Sequence, residues 1–100
     1  IQEADMALAE KFLHPGEYAY LARQPKGTQR NEAFYRIWTL KESFVKAVGA
    51  GMMLPFHFFE MRIGPGERIA VWQKVDRAAY TFREYRFGGY CAAVCFRDGV

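Results

Sequence analysis

Residues 34–52, FYRIWTLKESFVKAVGAGM, decide how the rest of the chain is read. At about 100° per residue, Phe34, Ile37, Trp38, Leu40, Phe44, Val45 and Val48 fall on one broad arc of a helix. An arc of that width faces a core. The pattern predicts a helix entered near Asn31 and stopped by Gly49 and Gly51, with Pro55 beyond. Glu42 lies just outside the arc, close to Tyr35 and Lys46, whereas Lys41 projects from near its middle. A lysine on a core face needs an anion for its ammonium, or a rim to which its stem can snorkel. The Gly-Ala-Gly sequence at 49–51 follows a helix instead of opening one, so no helix N-terminus points at an anion there. It reads as an αL cap and a turn.

Upstream, EADMALAEKFL at 3–13 sets Met6, Leu8, Ala9, Phe12 and Leu13 at helical spacing. A second short helix is expected from HPGEYAYLA at 14–22, with Pro15 at its first position, Glu17 in its first turn and His14 near the cap. QPKGTQRNE at 24–32 is a polar loop. After Pro55 the period changes to two. FHFFEMRI (56–63), RIAVWQKV (68–75), AYTFREYRF (79–87) and GYCAAVCFR (89–97) read as four strands with connections short enough for antiparallel neighbours. The expected fold is α+β, with two short helices and one long helix packed on a largely antiparallel sheet of about four strands, one domain over 1–100.

An apolar fraction of 51% and an aromatic fraction of 17% over 100 residues exclude a disordered chain. The net charge of +3, from 14 basic and 11 acidic side chains, is spread without a Lys/Arg cluster. It suits an acidic partner without demanding nucleic acid. No apolar run approaches bilayer length and no signal pattern opens the chain, so a soluble, cytoplasmic protein is expected. The initial Ile1 and the unpunctuated CFRDGV at 95–100 suggest a piece of a longer protein. Cys91 and Cys95 would share one face of a strand as buried free thiols, since neither CxxC spacing nor companion histidines mark a metal pair.

Two accounts compete for the polar row on the long helix. Glu42 and Lys46 stand in the favourable order for an i,i+4 ion pair, worth roughly 0.2–0.5 kcal/mol on an exposed surface, and spacing alone favours that account. It leaves Lys41 and Trp38 unexplained. A cleft wall carrying one carboxylate and two ammonium groups has the chemistry for a metal-bound phosphate, because Mg2+ takes carboxylate and phosphate oxygens while lysine neutralises developing charge. At least one more acid would then have to come from elsewhere.

FYRIWTLKESFVKAVGAGMMLP at 34–55 resembles the signature of the 4'-phosphopantetheinyl transferases of the Sfp-like type: an aromatic, then W-[ST]-x-K-E-[AS]-x-x-K, then G-x-G. Trp38, Lys41, Glu42, Ser43, Lys46, Gly49 and Gly51 match it. AEKFLHPGEYAYL at 9–21 is similar to the family segment in which Glu-Tyr follows an aromatic, and the likeness reaches Ile63. The resemblance implies Mg2+-dependent transfer of phosphopantetheine from coenzyme A to a serine of an apo acyl, peptidyl or aryl carrier protein. It implies Glu42 as metal ligand and, directly or through water, as base. Lys46 would contact phosphate, Lys41 would support the same coenzyme A pocket, and Trp38 would pack and orient the row.

The family's G-[IV]-D-[IV]-E metal strand has no counterpart here. Glu3 and Asp5 stand in the reverse order at a helix start and do not replace it. Larger members are built from two similar halves with coenzyme A between them, and this chain resembles the second. An incomplete enzyme is therefore expected, with weak Mg2+ binding and a sheet edge open to the absent N-terminal half or to a second chain. Carrier contacts are expected at Lys11, Phe12 and Tyr18, and no nucleic-acid or membrane partner is implied. The alternative is a noncatalytic α+β module binding an acidic carrier protein or nucleic acid through Arg62, Arg68, Arg77, Arg83, Arg86 and Arg97.

Overall fold

The computed structural model describes residues 4–49, 54–88 and 90–98. Helix α1 (Met6–Phe12) leads into α2 (Pro15–Arg23) and the long α3 (Thr28–Val48), followed by β1 (Glu60–Ile63), β2 (Ile69–Trp72), β3 (Tyr80–Phe87) and β4 (Tyr90–Arg97). The α+β class is as expected, and all four strands are antiparallel to their partners.

The helix signals locate their ends in different ways. Asp5 is the N-cap of α1, its Oδ1 accepting the Leu8 N–H at 2.9 Å, so α1 starts later than the stretch at 3–13 suggested. Glu3 lies outside the described residues. A capping box opens α2: His14 accepts the Gly16 N–H, and the Glu17 carboxylate accepts the His14 N–H at 3.0 Å. Helix α3 begins at Thr28, three residues before the expected start near Asn31, because Gly27 and Pro25 accept the Asn31 and Arg30 N–H groups and extend the first turn. It ends at Gly49, whose φ of 77° is the left-handed cap that only glycine adopts cheaply. Gly51 lies outside the described residues.

Two buried clusters share α3. Its first half packs Ala33, Phe34 and Ile37 against Ala9, Leu13 and Leu21 of the short helices; its second half packs Leu40 and Phe44 against Leu54, Phe59, Met61 and Tyr80. The arc read from the sequence is thus the core face, although Trp38, Val45 and Val48 are only half-buried.

The strands pair as two hairpins, β1 with β2 and β3 with β4, and not as one four-stranded ladder. Between them, Gln73 and Asp76 collect the backbone of residues 75–78: Gln73 Oε1 accepts the Val75 and Asp76 N–H groups, and Asp76 Oδ1 accepts that of Ala78. This knot turns the chain before β3 can extend the first ladder. The first predicted strand is also shorter than expected. Residues Phe56–Phe58 form a 3-10 turn, with the Phe58 N–H donating to the Pro55 carbonyl at 3.1 Å. Phe56 and Phe59 both turn inward, and a spacing of three suits a tight helical turn where strand alternation would have put them on opposite faces. Gly88, at φ 56°, supplies the turn from β3 into β4, and Gly89 falls outside the described residues. Among the described residues no helix is long and apolar enough to cross a membrane.

Candidate functional site

Lys41 occupies the middle of the core face of α3 and is fully buried. The anion it requires is Glu17, equally buried, at 2.8 Å. The same ammonium donates to the Phe59 carbonyl at 2.5 Å and stands 3.9 Å above the Phe59 ring. Glu17 also holds backbone groups of two other segments. Its Oε2 accepts the Met61 N–H at 2.6 Å, and its Oε1 the His14 N–H. The hydrogen-bonding capacity of both side chains is thus met from several directions, which compensates charges removed from water. Burial pushes the Glu17 carboxyl above and the Lys41 ammonium below their ordinary ranges, against the pull of their mutual attraction and of the donors on Glu17.

One residue further along α3 the helix meets solvent. Trp38, Glu42, Val45 and Lys46 form one wall of a groove of about 590 Å³; Leu54, Pro55, Phe56 and His57 form the facing wall, and Phe12 from the end of α1 closes one side. Trp38 is held by stacking on Phe34 (5.8 Å between centroids) and by an edge contact with Phe56 at 5.0 Å. Glu42 and Lys46 are exposed. Among the described residues neither has an ion-pair partner, so the i,i+4 bridge favoured by spacing alone is not formed. The groove therefore presents an open carboxylate and an open ammonium beside an indole.

Of the residues singled out from sequence, Trp38, Glu42 and Lys46 are brought together, and Lys41 is directed away from them into the interior. Its nearest link to the groove is the Phe56 ring, 5.7 Å from the ammonium. Phe12 lines the groove with the Lys11 ammonium 5.3 Å from its ring centroid, while Tyr18 packs on the helical core. Asp5 is engaged as a helix cap. Among the described residues no three acidic, His or Cys side chains gather as a metal site. Mg2+ is commonly held by one or two carboxylates with water and substrate phosphates completing its shell, and Glu42 fits as one such ligand, without a dedicated cage.

The chain matches the model of the 4'-phosphopantetheinyl transferase superfamily over residues 1–95. It belongs to that superfamily. The chain is 30% identical over 95 residues to the 4'-phosphopantetheinyl transferase gsp of Aneurinibacillus migulanus, covering 95% of this chain and 40% of that protein. With the 4'-phosphopantetheinyl transferase ffp of Bacillus subtilis it shares 34% identity over 91 residues, 90% of this chain and 40% of the relative. HetI of Nostoc sp., also a 4'-phosphopantetheinyl transferase, is 41% identical over 46 residues, 46% of this chain and 19% of that protein. This superfamily member thus spans about two fifths of the length of the first two relatives.

Sequence reasoning missed His57 on the facing wall, where a polar residue between phenylalanines in an apparent strand gave no signal. It placed Glu17 at a helix start without recognising its interior role. The Lys41 anomaly was the available clue. The arginine face is partly neutralised: Arg62 pairs with Glu60 at 3.0 Å and Arg97 with Asp76 at 2.7 Å. Both cysteines are free and half-buried, and burial, aided by the Asp98 carboxylate, pushes the Cys95 thiol up to about 11.

Proposed function

We propose that this chain supplies the catalytic groove of a 4'-phosphopantetheinyl transferase, acting in the cytoplasm on coenzyme A and an apo acyl, peptidyl or aryl carrier protein. The observation that carries this reading is the shared groove of Trp38, Glu42 and Lys46, in which neither charged group is engaged by another described residue.

In the proposed reaction the carrier serine Oγ forms a bond to the β-phosphorus of coenzyme A. The bond from that phosphorus to the bridging oxygen breaks, adenosine 3',5'-bisphosphate leaves with the electron pair, and the serine proton passes to Glu42 directly or through water. Mg2+, when bound, would neutralise pyrophosphate charge with Glu42 as a ligand. Lys46 stabilises charge on the phosphoryl oxygens, and Trp38 walls the groove against water. Lys41 supports the pocket from behind. Phe12, which lines the groove, Lys11 beside its ring, and Tyr18 are the proposed carrier contacts. A complementary half, or a second chain, would pack on the open sheet edge and add metal-binding carboxylates, so the isolated chain is expected to be slow or inactive.

Intact-mass spectrometry of an apo carrier protein incubated with this chain, coenzyme A and Mg2+ tests the reading, with and without the remaining part of a relative supplied in trans. A phosphopantetheine mass gain that is lost in Glu42→Ala supports it. No gain in either mixture from folded protein would favour a noncatalytic module that binds acidic carriers.

A further inference from the structure

We infer that Glu17 is a positioning residue for the groove and acts through Lys41. Their buried pair sets the separation of the two groove walls without touching anything bound between them. This rests on the reading above for what the groove binds, but the geometry stands by itself.

Lys41 and Glu42 are neighbours on α3 that point in different directions, one into the core and one into the groove. Behind the groove, Lys41 Nζ donates to Phe59 O and is 5.7 Å from the Phe56 ring, so the ammonium holds the 55–59 segment against α3. Glu17 fastens the next link, Met61 N, and is itself anchored in the α2 capping box through His14 N. The wall carrying Phe56 and His57 therefore hangs from a carboxylate on α2 and an ammonium on α3. Hydrophobic contact alone would let that wall slide along the helix, whereas charge-assisted hydrogen bonds fix direction as well as distance. The contact between Trp38 and Phe56 across the end of the groove reads out the spacing.

The test is the double variant Glu17→Gln/Lys41→Met, which leaves the net charge unchanged and so leaves long-range attraction for an anion unaltered. Glu17→Gln alone, close to isosteric but with a single acceptor oxygen left for the two backbone N–H groups that the carboxylate receives on separate oxygens, serves should the double variant fold poorly. Two readouts are taken on the whole chain after its unfolding midpoint: nuclear Overhauser contacts between the Trp38 indole and the Phe56 ring in the free protein, and titration with coenzyme A by calorimetry. Lys46→Met is the comparator for direct contact.

The expected result is loss or weakening of the Trp38–Phe56 contacts in a folded variant, with coenzyme A affinity lowered at least tenfold. Lys46→Met should lower affinity while preserving the ring contacts. Unchanged ring contacts in either folded Glu17 variant would overturn the positioning role and leave the pair purely structural. Parent protein that fails to bind coenzyme A even with the remaining part of a relative supplied in trans would count against the proposed function, and the ring contacts would still decide the role of Glu17.

Discussion

The two hairpins are held by charged groups of different burial: a pair wholly out of water for one, a partly buried to exposed set for the other. Hairpin β1–β2 is fastened by Glu17 and Lys41, both fully buried, through the Phe59 carbonyl and the Met61 N–H. Hairpin β3–β4 packs one face on α3 and is tied by Arg36, whose guanidinium donates to both Glu84 oxygens at 2.7 and 2.8 Å, and at its base by Asp76, Arg97 and Tyr80. Its outer face exposes Tyr85, Phe87, Tyr90, Val94 and Phe96. A buried pair costs more to assemble and fixes geometry when complete; an exposed set costs little and responds to pH and salt. The groove lies on the side held by the rigid attachment.

The sharpest way to break the contrast is to remove one buried partner. Lys41→Met leaves Glu17 charged or protonated in the core without its cation, and a loss of about 3–5 kcal/mol is expected by denaturant unfolding. Should the loss fall below ~1 kcal/mol, Glu17 is solvated or otherwise compensated and the contrast fails. Arg36→Ala removes a bidentate, partly buried bond to Glu84, and about 1.5–3 kcal/mol is expected in the same measurement, between the two extremes.

Asp76 sharpens the comparison through pH. The Arg97 guanidinium, then the Tyr80 hydroxyl and the Ala78 N–H, hold its carboxyl well below the ordinary range. A carboxyl lowered on folding contributes stability that is present above its ordinary pKa and is lost as pH falls toward the folded value. Wild type should therefore exceed Asp76→Asn in thermal midpoint at neutral pH, and the gap should narrow below about pH 4. A gap that does not change with pH would assign the Asp76 contribution to shape and not to charge. The smallest effect is expected on the outer face: Phe96→Ser should alter stability by no more than about 0.5 kcal/mol, because nothing described packs over it. A loss of several kcal/mol would mean that this face is covered in solution, which sedimentation of the wild-type protein would then reveal.

Much of the site was legible in the sequence because its residues lie on one helix. Periodicity placed Lys41 inward and Glu42 outward, and the match to W-[ST]-x-K-E-[AS]-x-x-K marked the row before any packing was known. The anomaly of a core-facing lysine was also visible. What bonded to it was not, since the resemblance directed attention to a phosphate while the nearer anion lay 24 residues upstream in α2. His57 and the 3-10 turn around it were hidden by the aromatic run at 56–59, which alternates weakly enough to pass for a strand.

The sequence by itself determined the α+β class, the left-handed stop at Gly49, the core arc of α3 and the exposure of Glu42 and Lys46, since each follows from spacing along one element. Only the tertiary structure decided that Lys41 pairs with Glu17, that Arg36 reaches Glu84, that the strands form two hairpins and that residues 54–57 face Trp38 across a groove. A local repeat fixes the direction a side chain takes from its own backbone, whereas the partner it meets depends on how separate elements pack and which buried charges must be satisfied when they do.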